Sequence, residues 1–207
     1  FCLLHGLPQK ATENIVDILF DLNDAHSPFQ IDRYLSVRQR QRFGSREFEV
    51  IQTPGHTHDH VSFFFPQERI LIAGDHVLPE ITPNLSPDLF VPEFRPLRSF
   101  FDSLSLIQGL SVANVYPAHG RPFGDLPGRI AELQIHHEVR KELIYKSVRE
   151  GSRTTLQISQ DIFGRVLPSF DQFLALNETY VHLVELIFDG SIEETRDENH
   201  ILYRPLE

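Results

Sequence analysis

Methionine and tryptophan are missing from this 207-residue chain, and cysteine occurs once, as Cys2. One thiol excludes an intrachain disulfide and fits a reducing compartment. No apolar run is long enough to span a bilayer, and no signal-peptide pattern is present. The expectation is a cytoplasmic protein with no membrane partner. The first residue is Phe rather than Met, and a targeting segment upstream would be lost with a natural N-terminus. Positive charge is scarce: 19 Lys and Arg face 29 Asp and Glu, for a net charge of −10 and a pI near 5.5. That balance excludes a broad nucleic-acid or anionic-membrane surface, which needs clustered cations. Internal repeats and low-complexity segments are absent as well.

What the chain does have is apolar bulk. Its 41% hydrophobic content and 17 phenylalanines suffice for one large core or two modest ones. The organising stretch is Thr53-Pro-Gly-His56-Thr-His58-Asp-His60. A strand pattern, Phe48 to Gln52, runs into it, and Val61 to Phe65 runs out. Pro54 and Gly55 break the ladder and favour a turn. A histidine on a turn just past a buried strand is well placed as a metal ligand, because imidazole binds zinc well and the strand end fixes its direction. Two further runs share the layout. Ile70 to Gly74 ends at Asp75, and Val112 to Pro117 leads to His119-Gly120. Three strand ends thus offer two imidazoles and one carboxylate, the ligand chemistry of a zinc or iron hydrolase.

Elsewhere the pattern is coarser. Ala11 to Asn23 reads as a helix with Thr12 as N-cap, ended by His26-Ser27-Pro28. His5 and His26 read as surface or packing residues. Residues 29–52 read as extended, and 61–66 with 70–74 as a hairpin. The triple Phe63-Phe64-Phe65 suggests a strand covered on both faces. His76 to Pro96 is an irregular, proline-rich loop of the kind that walls a site. Phe90, Val91 and Phe94 read as its anchors. Helices are expected over Leu97–Gln108 and Pro127–Glu150. From spacing alone, His136, His137 and Arg140 fall on a solvated face of the second.

Residues 152–207 change character: helix over 155–163, helix over 169–189, then a hairpin across Asp197-Glu198-Asn199. That is the winged-helix order. Four arginines stand against ten acidic residues from 151 to 207, and the longer helix has no Lys or Arg. DNA is therefore not expected as a partner.

The motifs Thr53-Pro-Gly-His-Thr57, Ala73-Gly-Asp75 and Pro117-Ala-His-Gly120 resemble the C-terminal half of the metallo-β-lactamase superfamily, in its glyoxalase II-like branch. Ile81-Thr-Pro-Asn84, Ser103-Leu104, Arg129-Ile130, His136-His137-Glu138 and Arg140 extend the likeness, as does the winged-helix-like tail. The resemblance implies an α/β (α+β) fold: the C-terminal part of an αββα sandwich over 1–125, a connecting helix over 126–150, and a winged-helix-like domain over 151–207. It implies two zinc ions, with iron or manganese as alternatives. His56 would complete the first, His119 the second, and Asp75 would bridge them as the catalytic carboxylate. His60 would support the turn, His58 would face substrate or solvent, His76 would be structural, and one of His136, His137 or Arg140 would reach the pocket.

The family's H-x-H-x-D-H motif, upstream of Thr-Pro-Gly-His, has no counterpart here; only His5 and His26 precede His56. The expectation is therefore a C-terminal fragment of a longer enzyme, with a member that lost its site as the alternative. The fragment alone should bind metal weakly or not at all. The function implied is metal-activated water attacking a thioester or related acyl substrate. Endoribonuclease activity and a non-catalytic scaffold are the competing readings. Half a sandwich would leave a sheet face to cover, and pairing of two copies into a homodimer is one route.

Overall fold

The computed structural model describes residues 1–24, 30–37 and 39–206. His26, with the helix end expected there, lies outside them. The described chain divides into two compact units, one of residues 32–138 and one of residues 1–31 with 139–207. The first segment thus groups away from the core in which the sequence reading put it.

In the 32–138 unit, five strands form one sheet in the order β1 (Arg40–Phe43), β2 (Arg46–Gln52), β3 (Val61–Phe65), β4 (Ile70–Gly74) and β5 (Asn114–Pro117). Neighbours are antiparallel except β4 and β5, which are parallel. The parallel step requires a crossover, supplied by the irregular stretch after Asp75 and by helix α2 (Pro96–Gln108). Residues 30–37, expected as extended, form no strand.

The register sorts side chains onto two unequal faces. Ser62, Phe64, Leu71, Ala73 and Val115 share one face and are buried. Phe63, Phe65, Ile72 and Tyr116 share the other, where Ile72 is 41% exposed. The Phe triple is therefore not covered on both sides. Strand periodicity buries Phe64 and leaves Phe63 and Phe65 half-exposed, both packed on the ring of Phe48. A cavity of about 460 Å³ opens there, lined by Phe65, Ile70, Ile72, Tyr116 and Pro117.

The sheet's margins differ in chemistry. At one, β1 is laced to β2 by the ion pairs Arg40–Glu49 (3.4 Å) and Arg42–Glu47 (3.6 Å). At the other, Val115 of β5 exchanges two backbone hydrogen bonds with Phe123, at 2.7 and 3.1 Å. Helix α2 buries Leu97, Phe100, Leu104 and Ile107. Its Ser103 hydroxyl donates to the Pro54 carbonyl at 2.9 Å, and a Cβ on Gly55 (φ +151°) would come within 2.8 Å of Phe100 Cβ. The turn before His56 is thereby clamped onto the helix.

The other unit contains helix α1 (Gln9–Asp24), the end of α3 (Leu126–Val148), α4 (Thr155–Phe163), α5 (Ser169–Phe188) and the hairpin of β6 (Ile192–Arg196) and β7 (Ile201–Pro205). Helix, helix, hairpin is the order expected of the tail. Thr12 is not a cap: its N–H and hydroxyl both donate to the Pro8 carbonyl, at 3.0 and 3.2 Å, inside the first turn. The helix starts earlier because Pro8, lacking an N–H, can precede it at no cost in hydrogen bonds. Ile144, Val148, Ile158, Leu183, Leu186, Ile192 and Tyr203 form one apolar cluster. Leu7, Ile15 and Leu176 form another, which draws the N-terminal segment onto α5. No helix among the described residues is long and apolar enough to cross a membrane.

His5 is a packing residue, as expected. Its Nδ1 meets the Thr155 hydroxyl at 2.7 Å, and its backbone carbonyl accepts from Leu156 N–H. Burial lowers its pKa from 6.5 to about 4. The unfolded chain then takes up a proton that the folded chain refuses, so stability is full above pH 6.5 and falls as pH drops toward 4. Urea unfolding across that window should show a slope that is shallower in His5→Gln, the remainder coming from the other histidines whose pKa burial lowers, His60 and His76.

Candidate functional site

Three strand ends of the 32–138 unit converge. The turn after β2 carries His56, His58 and His60, β4 hands over to Asp75, and β5 stops just short of His119. Because β4 and β5 are parallel, their C-terminal ends lie side by side. His119 Nε2 comes within 3.5 Å of Asp75 Oδ1. The imidazole is 72% exposed and the carboxylate 31%, so both are open to a ligand.

His56 is half-buried, and its Nδ1 lies 2.7 Å from the carbonyl oxygen of Asn84. A carbonyl only accepts, so Nδ1 carries a proton, and in the neutral ring Nε2 is the nitrogen with the free lone pair. Backbone carbonyls orient metal-binding histidines in this way. The His60 ring centroid lies 6.4 Å from that of His56. His60 Nδ1 meets the Thr53 hydroxyl at 2.8 Å, and Nε2 accepts the Asp75 backbone N–H at 3.2 Å. Burial, then the neighbouring His56, holds its pKa below the usual histidine range.

The loop after Asp75 is tied down by Arg129, whose Nε donates to the Leu78 carbonyl at 2.7 Å and Nη2 to that of Ile81 at 2.8 Å. Beside His56 the loop and turn enclose a cavity of about 450 Å³, with His58, Asp59, Ser86, Phe90 and Phe94 in its wall. Exposed His58 lies edge-on to Phe94, ring centroids 5.2 Å apart. Phe94 and Phe90, expected as loop anchors, both stand in the cavity wall, Phe94 half-buried and Phe90 96% exposed.

The remaining candidates make other contacts. His76 is fully buried against Phe100 (5.0 Å) and His60 (5.9 Å), and burial lowers its pKa to about 3. His137 is buried against Phe100 and Phe101, and half-buried His136 packs on His137 at 5.2 Å. Arg140 belongs to the helical unit, paired with Glu178 at 3.2 Å and stacked 4.2 Å over the Phe163 ring. Its guanidinium is thus engaged within that unit's packing.

Asn84 and Arg129 entered the sequence reading only through the resemblance. Asn84 acts through its backbone, which no side-chain pattern can signal. Arg129 acts across the fold on loop carbonyls.

Two imidazoles and a carboxylate are the right donor types for zinc. Among the described residues, no group of three or more His, Cys, Asp or Glu side chains is gathered tightly enough to hold an ion. By donor type the three side chains suit a metal, but the described residues do not gather them into a site.

A family model described as "Metallo-beta-lactamase superfamily" matches residues 17–119. The chain is 31% identical over 148 residues to a "Beta-lactamase-like protein 2 homolog" of Caenorhabditis elegans, covering 70% of this chain and 46% of that protein. It is 28% identical over 141 residues to an "Atrochrysone carboxyl ACP thioesterase" of Aspergillus fumigatus, covering 67% of this chain and 31% of that protein. The chain thus spans less than half the length of these curated relatives. Among solved structures, a beta-lactamase domain protein from Burkholderia ambifaria superposes with a TM-score of 0.87 at 29% identity, over 98% of this chain and 59% of that one. A metallo-beta-lactamase family protein from Thermus thermophilus gives 0.83 at 26%, over 99% and 62%.

Gly74 (φ +55°) shows how closely the cluster is built, because a Cβ there would lie 2.6 Å from His60 Nε2. Gly74→Ala should cost about 1–2 kcal/mol for the left-handed backbone alone, plus the cost of the clash. The clash part should vanish in a His60→Ala background. A double-mutant cycle by urea unfolding checks this.

Proposed function

The chain belongs to the metallo-β-lactamase superfamily over residues 17–119, and from that premise we propose that it forms part of a metal-dependent hydrolase of the glyoxalase II-like branch, acting on a thioester. The observation that carries the reading is the approach of His119 to Asp75 at 3.5 Å, beside a His56 whose Nδ1 is already committed to Asn84. His56 Nε2, Asp75 and His119 would each contribute to the metal site without completing it by themselves, and zinc is the ion that suits them. When bound, it supplies an acidified water and polarises the carbonyl under attack. This chain's own residues set the stage for that chemistry. Asn84 fixes the His56 tautomer, and Arg129 holds the loop that walls the cavity. Phe90 and Phe94 give that cavity an apolar side suited to an acyl group.

The substrate class has support from the Aspergillus relative, which is named a thioesterase. RNA is less well supported, because α5 carries no Lys or Arg. In this reading the winged-helix-like tail is a packing element, and the protein works in the cytoplasm.

Two measurements test the reading. On the polypeptide that carries this chain with whatever precedes it in its gene, acyl thioesters should be hydrolysed, single-stranded RNA should not, and a chelator should abolish turnover. Asp75→Ala should lower the rate beyond the roughly 10–100-fold typical of changes to groups that merely support a metal's ligands, and Phe90→Ala should lower it less. RNA cleavage alone would replace the thioester reading, and inactivity on both would favour a scaffold. Separately, elemental analysis of the 207-residue chain after zinc loading and dialysis should find fewer than two ions held per chain. Two tightly held ions would mean the site is complete without further donors.

A further inference from the structure

We infer that His60 is the residue that positions Asp75, through a fixed tautomer at the end of a buried hydroxyl chain. The functional weight of this rests on Asp75 being a metal-holding carboxylate, but the geometry stands by itself.

The Asp75 backbone N–H points at His60 Nε2 at 3.2 Å. A backbone amide can only donate, so Nε2 must be unprotonated and the ring proton must lie on Nδ1. Nδ1–H then donates to the Thr53 hydroxyl oxygen at 2.8 Å. Thr53 and Ser62 are both fully buried, and their hydroxyl oxygens are 2.9 Å apart. Thr53, accepting from His60, also shares a hydrogen bond with Ser62 in which either hydroxyl can donate. Donation runs from Asp75 N–H to His60 and from His60 to Thr53, and the Thr53–Ser62 hydroxyl pair continues the chain, linking the end of β4 to residues on β2's extension and β3.

One backbone feature supports the same assignment. The imidazole sits where a side chain at position 74 would begin, 2.6 Å from an ideal Cβ there. Glycine at 74 is thus what lets His60 reach the next amide. The hydrogen bond holds the peptide of Asp75, and with it the direction in which the carboxylate leaves the strand. A metal would find Asp75 already aimed instead of having to order it, and preorganisation of that kind is how groups behind the ligands tune a site.

The test uses the metal-free 207-residue chain in solution NMR. Long-range nitrogen–proton correlation should show His60 as the Nδ1–H tautomer, whereas an Nε2–H tautomer would overturn the assignment. Hydrogen exchange gives the second readout. In His60→Leu the Asp75 amide should exchange roughly tenfold faster, the worth of one hydrogen bond, while the amides within β4 keep their wild-type rates. His60→Gln, which retains an acceptor, should restore part of the protection. An Asp75 amide indifferent to His60→Leu would overturn the assignment. Should the Leu variant fail to fold, the wild-type tautomer decides. Neither readout involves metal or turnover. Inactivity toward thioesters would leave this inference standing, and its failure would leave the hydrolase reading in place.

Discussion

The parallel pairing of β4 with β5 is the constraint from which the site follows. Antiparallel neighbours would send Asp75 and His119 to opposite ends of the sheet. Parallel ones deliver them to the same end, 3.5 Å apart, although the chain travels through a loop and α2 between them. The turn that carries His56 sits at that end too, because β2 runs into it and β3 leaves it antiparallel. The topology brings the donors together, and the side chains then refine their directions.

That refinement is done largely by groups that are not themselves donors. α2 clamps the Pro54-Gly55 turn, the Asn84 carbonyl selects the His56 tautomer, and Arg129 ties the loop that lines the cavity. Each works through backbone carbonyls or close packing, so each is stiff. Stiffness suits a site whose donors must hold their directions before a ligand arrives.

Strand-end residues were legible in the sequence because short apolar runs bounded by Pro or Gly mark where a strand stops. The residue standing there is then exposed to whatever lies beyond the sheet. Thr53 to His60, Asp75 and His119 all obey this, and so does the hairpin of β3 and β4. The misses have a common cause in contacts distant along the chain. Nothing near Leu7 or Ile15 announces that they pack on Leu176. Nothing near Arg140 announces Glu178 and Phe163. The run of three phenylalanines suggested cover on both faces, yet hydrophobicity records only that a residue prefers shelter. Phe63 and Phe65 find theirs partly in Phe48.

The sheet's two margins bear on how this chain can associate. A bare outer strand recruits further strands and so seeds fibrils. Here the β1 side is occupied by guanidinium and carboxylate groups that would have to be stripped of water before another ribbon could zip on. The β5 side already spends Val115's donor and acceptor on Phe123. Sideways addition of strands is discouraged at both margins of this sheet, whose half-exposed Phe63–Phe65 face is a surface for stacking instead.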